Sequence, residues 1–452
     1  MTDWSVGSVL RSARWLLVCG LLVVAAACSS TPEVELPEPA WRADDARFAV
    51  HVVDTAADGP AGVEAADMDG DGDLDLVVNF FGDRPDDAGP IEFPPGGITV
   101  YRNDGDLASW TKMPVLTRAD GNYFLNEAVP EDLDDDGDFD LLVSAGFFVC
   151  EFNPEIGPCG ALFWLEQTGE GWVRHDIVEP GTVEFFHRVL LADIDGDGLH
   201  DLVTVGETVD DAYAQWYPGS AGGTGFEATP HLIGQGGGSL PVIGDIDGDG
   251  DLDLASGEFF LAGNSFVWFE QVEAPSAARP AGEWQRHVID ATLGRTIQLA
   301  AIPDLLGEGT VGWIGSNHVN NVSRDPEPLS GIYLLTPPGD PRRPWESKLI
   351  SDGIVSRPIE GINFQAAPGV FWWGDVDDDG DIDLTVSGDG DPRVFWFEQT
   401  EVGEFSQHAL RTEFGQAAGG LVADLDGNGD SEVVFTSYDT GEVLIFDYRP
   451  EG

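Results

Sequence analysis

Short runs rich in β-branched and aromatic residues recur along most of the chain, separated by turn residues, which is the pattern of half-buried strands and not of helices. The runs come in sets of four. A first apolar run leads into an acidic stretch, and a second leaves it, as in Leu74-Asp75-Leu76-Val77-Val78. A third carries an aromatic signature, seen as Phe163-Trp164-Leu165-Glu166-Gln167, Val267-Trp268-Phe269-Glu270-Gln271 and Phe395-Trp396-Phe397-Glu398-Gln399. The fourth contains a histidine at His175, His231, His287 and His408. Four short antiparallel strands per period make a propeller blade, so the pattern predicts an all-β propeller. A histidine recurring at one strand position reads as structural, with a catalytic role as the alternative.

The acidic stretches repeat in register. Six copies fit D-x-D-x-[DN]-G-x-x-[DE]: Asp67, Asp69, Asp71, Asp73 and Asp75; Asp132, Asp134, Asp136, Asp138 and Asp140; Asp193, Asp195, Asp197, Leu199 and Asp201; Asp245, Asp247, Asp249, Asp251 and Asp253; Asp375, Asp377, Asp379, Asp381 and Asp383; Asp424, Asp426, Asn428, Asp430 and Glu432. A weaker copy, fifth in order, runs from Asp304 to Gly312 with Leu306 at position three and no side chain at position nine. Successive first aspartates lie 65, 61, 52, 59, 71 and 49 residues apart, a spacing suited to one blade each.

These loops are expected to bind Ca2+, about six ions in all. Calcium takes six to eight oxygens, and short acidic side chains at alternate positions of a tight turn can all point inward. Positions one, three, five and nine would supply side-chain oxygens. Position seven would supply its backbone carbonyl, since Leu199 stands there in the third copy. Glycine at position six gives the turn its backbone freedom. For a single copy an Asp-Gly turn without metal is an equal alternative; six copies in one register favour the ion. An EF-hand fits less well, because position twelve is Val78 in the first copy and Ser256 in the fourth. The fifth copy is expected to keep the turn without the ion.

The formal net charge is −61, from 21 basic and 82 acidic residues, while 42% of residues are hydrophobic and 14 are tryptophan. Such a field repels nucleic acid and anionic lipid and attracts divalent cations. The apolar content is enough for a large core, which argues against disorder.

Arg11 and Arg14, the apolar run Trp15 to Ala27, and Ala25-Ala26-Ala27-Cys28 resemble a bacterial lipoprotein signal peptide with lipid attached at Cys28. Ordinary secretion is the alternative. Residues 1–27 are then the signal peptide, 28–46 a Pro- and Glu-rich tether, and 47–449 the propeller, placed in the cell envelope, facing outward or the periplasm, or secreted. Cys150 and Cys159 enclose a short loop, and an exported chain favours a disulfide there over two free thiols. No further Cys accompanies them to make a zinc site.

The last period stops after Glu442-Val-Leu-Ile-Phe446, one strand short. Phe48-Ala-Val-His51-Val-Val53 has the missing pattern, so an N-terminal strand is expected to complete the seventh blade and close the ring. The loops, spacing and Trp-bearing strands resemble the FG-GAP and VCBS-like repeat family, which includes the propellers of integrin alpha chains. That resemblance covers roughly residues 45 to 449. It implies a seven-bladed propeller, calcium between the first two strands of a blade, and adhesion or recognition outside the cell.

Two functions compete. One is a calcium-stabilised surface recognition or scaffolding module for an extracellular protein or glycan, using the loops Gly82 to Gly97, Phe147 to Gly160 and about Asn317 to Ser330 on the face away from calcium. The other is a glycan lyase or hydrolase using the central channel, where Glu64, Glu127, His187, Arg188 and Gln298 are expected. The sequence holds no nucleophile elbow, zinc motif or phosphate loop, which favours the non-enzymatic reading.

Overall fold

The computed structural model describes residues 45–82, 93–153, 155–220, 225–261, 263, 265–319, 329–357 and 365–449. The signal peptide, most of the tether, Cys28 and large parts of the Gly82–Gly97 and Asn317–Ser330 loops lie outside them.

The described residues form seven antiparallel sheets of four strands each, as the repeat predicts. The first three blades are Pro60–Ala66, Asp75–Phe80, Gly97–Asn103 and Trp110–Leu116; Leu125–Glu131, Asp140–Ala145, Gly160–Thr168 and Gly171–Thr182; Phe185–Ala192, Asp201–Glu207, Ala212–Tyr217 and His231–Gln235. The fourth and fifth are Val242–Gly244, Asp253–Gly257, Phe266–Glu273 and Glu283–Asp290; Thr296–Ile302, Gly312–Asn317, Ile332–Thr336 and Glu346–Leu349. The sixth is Phe371–Gly374, Asp383–Ser387, Val394–Glu401 and Glu404–Arg411. The seventh takes Ala417–Ala423, Glu432–Ser437 and Glu442–Tyr448 from the end of the chain and Phe48–Asp54 from its beginning, with Phe48 opposite Tyr448. Pairing them covers two sheet edges that would otherwise be open to other strands.

Second strands are buried on both faces because each blade is sandwiched between two neighbours. Their residues therefore read as continuous apolar runs instead of alternating ones. One core cluster joins Val77, Ile98 and Val100 of the first blade to Leu141, Val143 and Phe163 of the second; another joins Trp268 of the fourth to Leu299, Trp313 and Trp345 of the fifth. Each fully buried Leu, Val or Phe contributes roughly 1.5–3 kcal/mol, so these interfaces dominate the ring's cohesion. Polar side chains stitch the inner edges: Ser144 Oγ donates to His187 O at 3.0 Å, and Thr436 Oγ1 to Ala61 O at 3.0 Å, each across a blade boundary.

Every acidic stretch falls between the first and second strand of its blade, so all seven share one end of the ring. The opposite end carries the turns between second and third strands. Cys150 and Cys159 are joined there by a disulfide, around the one-turn helix Val149–Phe152.

Candidate functional site

In each of the six acidic loops the position-one aspartate clips the turn. Asp67 Oδ1 and Oδ2 accept the backbone N–H groups of Asp71 and Gly72 at 3.0 Å, and Asp132 and Asp424 do the same for positions five and six of their loops. Position five in turn accepts the N–H of position seven, as Asp71 does from Asp73 at 3.1 Å. Glycine at position six has φ between 88° and 102° in the six loops, a conformation closed to other residues without strain. Position four is left-handed as well: glycine in four loops, and Asp135 (φ 61°) and Asp378 (φ 59°) in the other two. Aspartate tolerates that region better than most side chains. The recurring Gly-x-Gly was a visible signal for it.

The turn gathers carboxylates. In at least five loops a trio brings one oxygen each within 4.8 Å of the others: Asp67, Asp69 and Asp71; Asp132, Asp134 and Asp136; Asp193, Asp195 and Asp197; Asp245, Asp247 and Asp253; Asp375, Asp377 and Asp379. Position nine is buried and does double duty. Asp75 Oδ1 accepts Asn103 N at 2.8 Å and Oδ2 accepts Met68 N at 3.0 Å, tying the loop to the third strand. Asp140, Asp201 and Asp253 repeat both bonds, and Asp383 repeats them with a longer second one. Burial pushes these carboxyls up against the pull of the two N–H groups, to about 6 at Asp75, Asp140 and Asp201, about 7 at Asp253 and about 8 at Asp383. Glu432, with its bond to Leu425 N at 2.7 Å, rises to about 7 for the same reason.

Several carboxylate oxygens of these loops are left unanswered by the protein, as a cation's ligands would be. Asp251 Oδ1, Asp375 Oδ1, Asp377 Oδ1 and Asp381 Oδ1 are buried with no hydrogen-bond partner. Orphaned anionic oxygens are costly unless paired or metal-bound. The oxygen-only donor set suits a hard cation. Asp251 and Asp381 stand at position seven, where the sequence assigned only the backbone carbonyl. In these two loops the partly buried side chain faces its own loop's carboxylates: burial, and then Asp249, Asp247 and Asp245, raise Asp251, and burial, and then Asp379, Asp377 and Asp375, raise Asp381.

The fifth loop is built differently. Asp304 Oδ1 still accepts Gly309 N at 2.6 Å, and Gly309 keeps a φ of 73°. Position nine is Gly312, and a Cβ there would lie 2.5 Å from Leu305 Cδ2. Leu305, fully buried, thus fills space beside the carboxylate position of the other loops. It also exposes a rule missed in the sequence: position two is apolar in all seven copies, as Met68, Leu133, Ile194, Ile246, Leu305, Val376 and Leu425. It plugs the loop into the core. Equally unforeseen, Gln167 Nε2 donates to Met68 O at 3.2 Å and Asn103 Nδ2 to Leu425 O at 2.8 Å, so third strands reach back to the preceding blade's loop.

At the channel, Arg188 Nε donates to Glu127 Oε1 at 3.0 Å, and Val189 N to Glu127 Oε2 at 3.0 Å. His187 Nδ1 lies 2.8 Å from Glu207 Oε2. Glu64 keeps some contact with solvent but is otherwise enclosed by protein; burial, and then the charge of Glu127, push its carboxyl up to about 8. Gln298 does not belong with them. It is buried and bridges both backbone groups of Phe371 at 2.8–2.9 Å, joining the fifth blade to the sixth. A polar residue at an inner strand start reads in the sequence as a channel group, whereas the neighbouring backbone claims it.

The end opposite the acidic loops carries an aromatic belt. Phe81, Phe124, Phe147, Phe148, Phe260 and Phe259 follow one another with ring centroids 4.5–5.6 Å apart, from the first blade to the fourth. All but Phe124 are only partly buried. The signal was the doublet Phe80-Phe81, Phe147-Phe148 and Phe259-Phe260 after second strands. The disulfide fixes the loop that carries two of these rings.

A profile of the FG-GAP-like repeat matches residues 193–256 and 375–435, each span running from one acidic loop through the second strand of the next blade. No curated protein matches the chain in sequence. Among solved structures, a rhamnogalacturonan lyase of Bacillus licheniformis is 14% identical with a TM-score of 0.46, over 89% of this chain and 75% of that one. The exotype rhamnogalacturonan lyase YesX is 14% identical with a TM-score of 0.44, over 91% and 75%. BBS1N, in complex with ARL6DN, is 10% identical with a TM-score of 0.48, over 88% and 95%. None of these likenesses bears on activity. The chain is a seven-bladed β-propeller that carries FG-GAP-like repeats.

Proposed function

We propose that this chain is a calcium-stabilised recognition or scaffolding module working outside the cytoplasm, anchored through lipid at Cys28 or secreted, and binding an extracellular protein or glycan. Supporting the ion are the buried, unpartnered oxygens of Asp251, Asp375, Asp377 and Asp381. Bound calcium would hold the first-to-second strand turns and cancel their mutual repulsion; the chain's own residues clip those turns to third strands and neighbouring blades. The contact surface is the partly exposed aromatic belt, since stacked rings on a rigid scaffold suit sugar faces and apolar side chains alike.

The observation that carries the reading is the division of labour between the two ends: carboxylates gather at one, aromatic rings at the other. Arrays of glycans and peptides, probed with and without calcium, test it. Binding lost in Phe148→Ala with an unchanged Tm supports the belt, and binding indifferent to that change defeats it. Catalysis in the channel is the competing reading, favoured by the raised carboxyl of Glu64 beside Glu127 and Arg188. Turnover of a glycan that disappears in Glu127→Gln, with folding intact, would replace the binding reading.

A further inference from the structure

The acidic-loop end holds a second kind of site, visible by comparing blades. In the second, fourth and sixth blades the third-strand tryptophan packs against the fourth-strand histidine: Trp164 stacks on His175 at 4.2 Å, and Trp268 and Trp396 meet His287 and His408 at a tilt of 30–32°, 4.7 Å and 5.0 Å between ring centroids. The glutamate two residues after each tryptophan meets that histidine. Glu166 is 2.7 Å from His175, Glu270 is 2.7 Å from His287 and Glu398 is 2.8 Å from His408. Indole, imidazole and carboxylate thus make the same cradle three times, with the position-three aspartate of the loop as a further wall.

Two of the cradles are filled by this chain. Arg342 donates from Nε to Glu270 Oε2 at 3.0 Å and from a terminal nitrogen to Glu270 Oε1 at 2.5 Å, and also pairs with Asp247. Arg47 sits over the Trp396 ring at 4.5 Å and pairs with Glu398 at 3.1 Å. Both come from the segment just before the fourth strand of the next blade around the ring. The seventh blade has Asp447 at the corresponding place, and Arg449 pairs with it.

In the second blade the equivalent segment of the neighbour includes Gly225-Phe226, and among the described residues no guanidinium pairs with Glu166. Gly225 lies where a Cβ would come within 3.3 Å of Trp164 Nε1, as Pro341 O lies 3.3 Å from Trp268 Nε1 in the fourth blade. The following residue is Phe226 where the fourth-blade cradle receives Arg342. Residues 218–230 include no Arg or Lys. Among the described residues Glu166 meets His175 and no other cation. A groove of about 370 Å³ remains, lined by Asp134, Trp164, Glu166, His175 and Phe226 among others.

We infer that this groove takes the guanidinium of an arginine carried by a partner polypeptide, in the way the sister cradles take Arg342 and Arg47. An arginine offers a planar fork to the glutamate and a face to the aromatic ring, which an ammonium does not. The inference deepens the recognition reading and rests on it for the partner, while the cradle itself needs no calcium ligand beyond the wall of Asp134.

Nα-acetyl-arginine amide is the probe, titrated in excess calcium into the intact protein labelled at tryptophan indole nitrogens. The expected result is saturable binding at one site that shifts the Trp164 signal, weaker binding of the lysine analogue and none of the neutral citrulline analogue. Glu166→Gln should weaken the probe about tenfold or more, the loss expected of one charge-assisted contact of about 1.4 kcal/mol. Arg342→Ala should open a second site and raise the stoichiometry to two. Phe226→Arg, which tethers a guanidinium beside Glu166, should abolish probe binding and raise Tm. Citrulline or lysine analogues binding as well as arginine, a folded Glu166→Gln protein binding normally, or an unchanged stoichiometry in Arg342→Ala would each overturn the inference. Absence of arginine binding would remove the cradle and leave the aromatic belt standing. Catalytic turnover would remove the recognition reading and leave the titration as measured.

Discussion

The fourth and fifth acidic loops stand side by side in the ring and make the same turn by different means. In the fourth, Asp253 answers two backbone N–H groups, from Gln271 and Ile246, each at 2.9 Å, and faces Asp245 and Asp247. In the fifth, Gly312 leaves room for Leu305, and only Asp304 remains of the acidic set at positions one, three, five and nine apart from Glu308. The turn itself survives, with Asp304 holding Gly309 N at 2.6 Å. A clip at position one, left-handed backbone at positions four and six, and an apolar plug are therefore enough for the shape. The further carboxylates of the other six loops exceed what the turn needs, and their excess is what an ion would use.

Removing the ion tests this contrast most severely. A site occupied at 100 times its Kd stabilises the fold by about 2.7 kcal/mol, so six together rival the whole stability of an ordinary domain of about 5–15 kcal/mol. Chelation is expected to lower Tm steeply, and calorimetric titration to return about six ions; an unmoved Tm would erase the distinction between the loops. Next in size is Asp253→Ala, which strands the N–H groups of Ile246 and Gln271 and should cost about 4 kcal/mol by denaturant unfolding. The loss should persist in chelator, because half of that residue's task is structural. Leu305→Ala should cost about 3 kcal/mol through the cavity it leaves, without altering calcium stoichiometry. A fall in the number of ions bound would mean that the fifth loop had been misread.

A pH effect separates loop charge from channel charge. Glu64 is pushed up to about 8, so the folded state favours its protonated form more than the unfolded state does. Its contribution is complete below the usual carboxylate range and is lost as pH rises to about 8. Glu64→Gln should flatten that part of the stability profile in chelator-treated and calcium-loaded protein alike. A flattening seen in only one of them would tie Glu64 to the loops.

Much of this was legible in the residues. The blade pattern, the number of blades and the closing strand followed from local period and from the missing fourth run at one end, because strand formation reports on neighbouring residues. The position-six turn glycines were equally local, whereas position one reads in the sequence only as a metal ligand and its clip on the backbone appears in the structure. What escaped notice lies across blade boundaries. Gln167 reaches a carbonyl 99 residues away, Asn103 one 322 away, and Gln298 a strand 73 away. Amide side chains advertise no partner in sequence, so a structural bridge such as Gln298 looks like an exposed polar residue. The phenylalanine doublets were visible, but only three of the four follow a second strand, and their meaning depends on which turns share an end of the ring.

Ring closure also imposes an order in time. Among the described strands Phe48–Asp54 comes first in the chain and its partner Glu442–Tyr448 comes last, and His51 meets Asp447 across 396 residues. Six blades need only strands that follow one another in the chain; the seventh waits for Glu442–Tyr448 to meet Phe48–Asp54. Until they pair, two strand edges are bare and the first and sixth blades each lack a neighbour, so that seam is the last part of the ring to be covered.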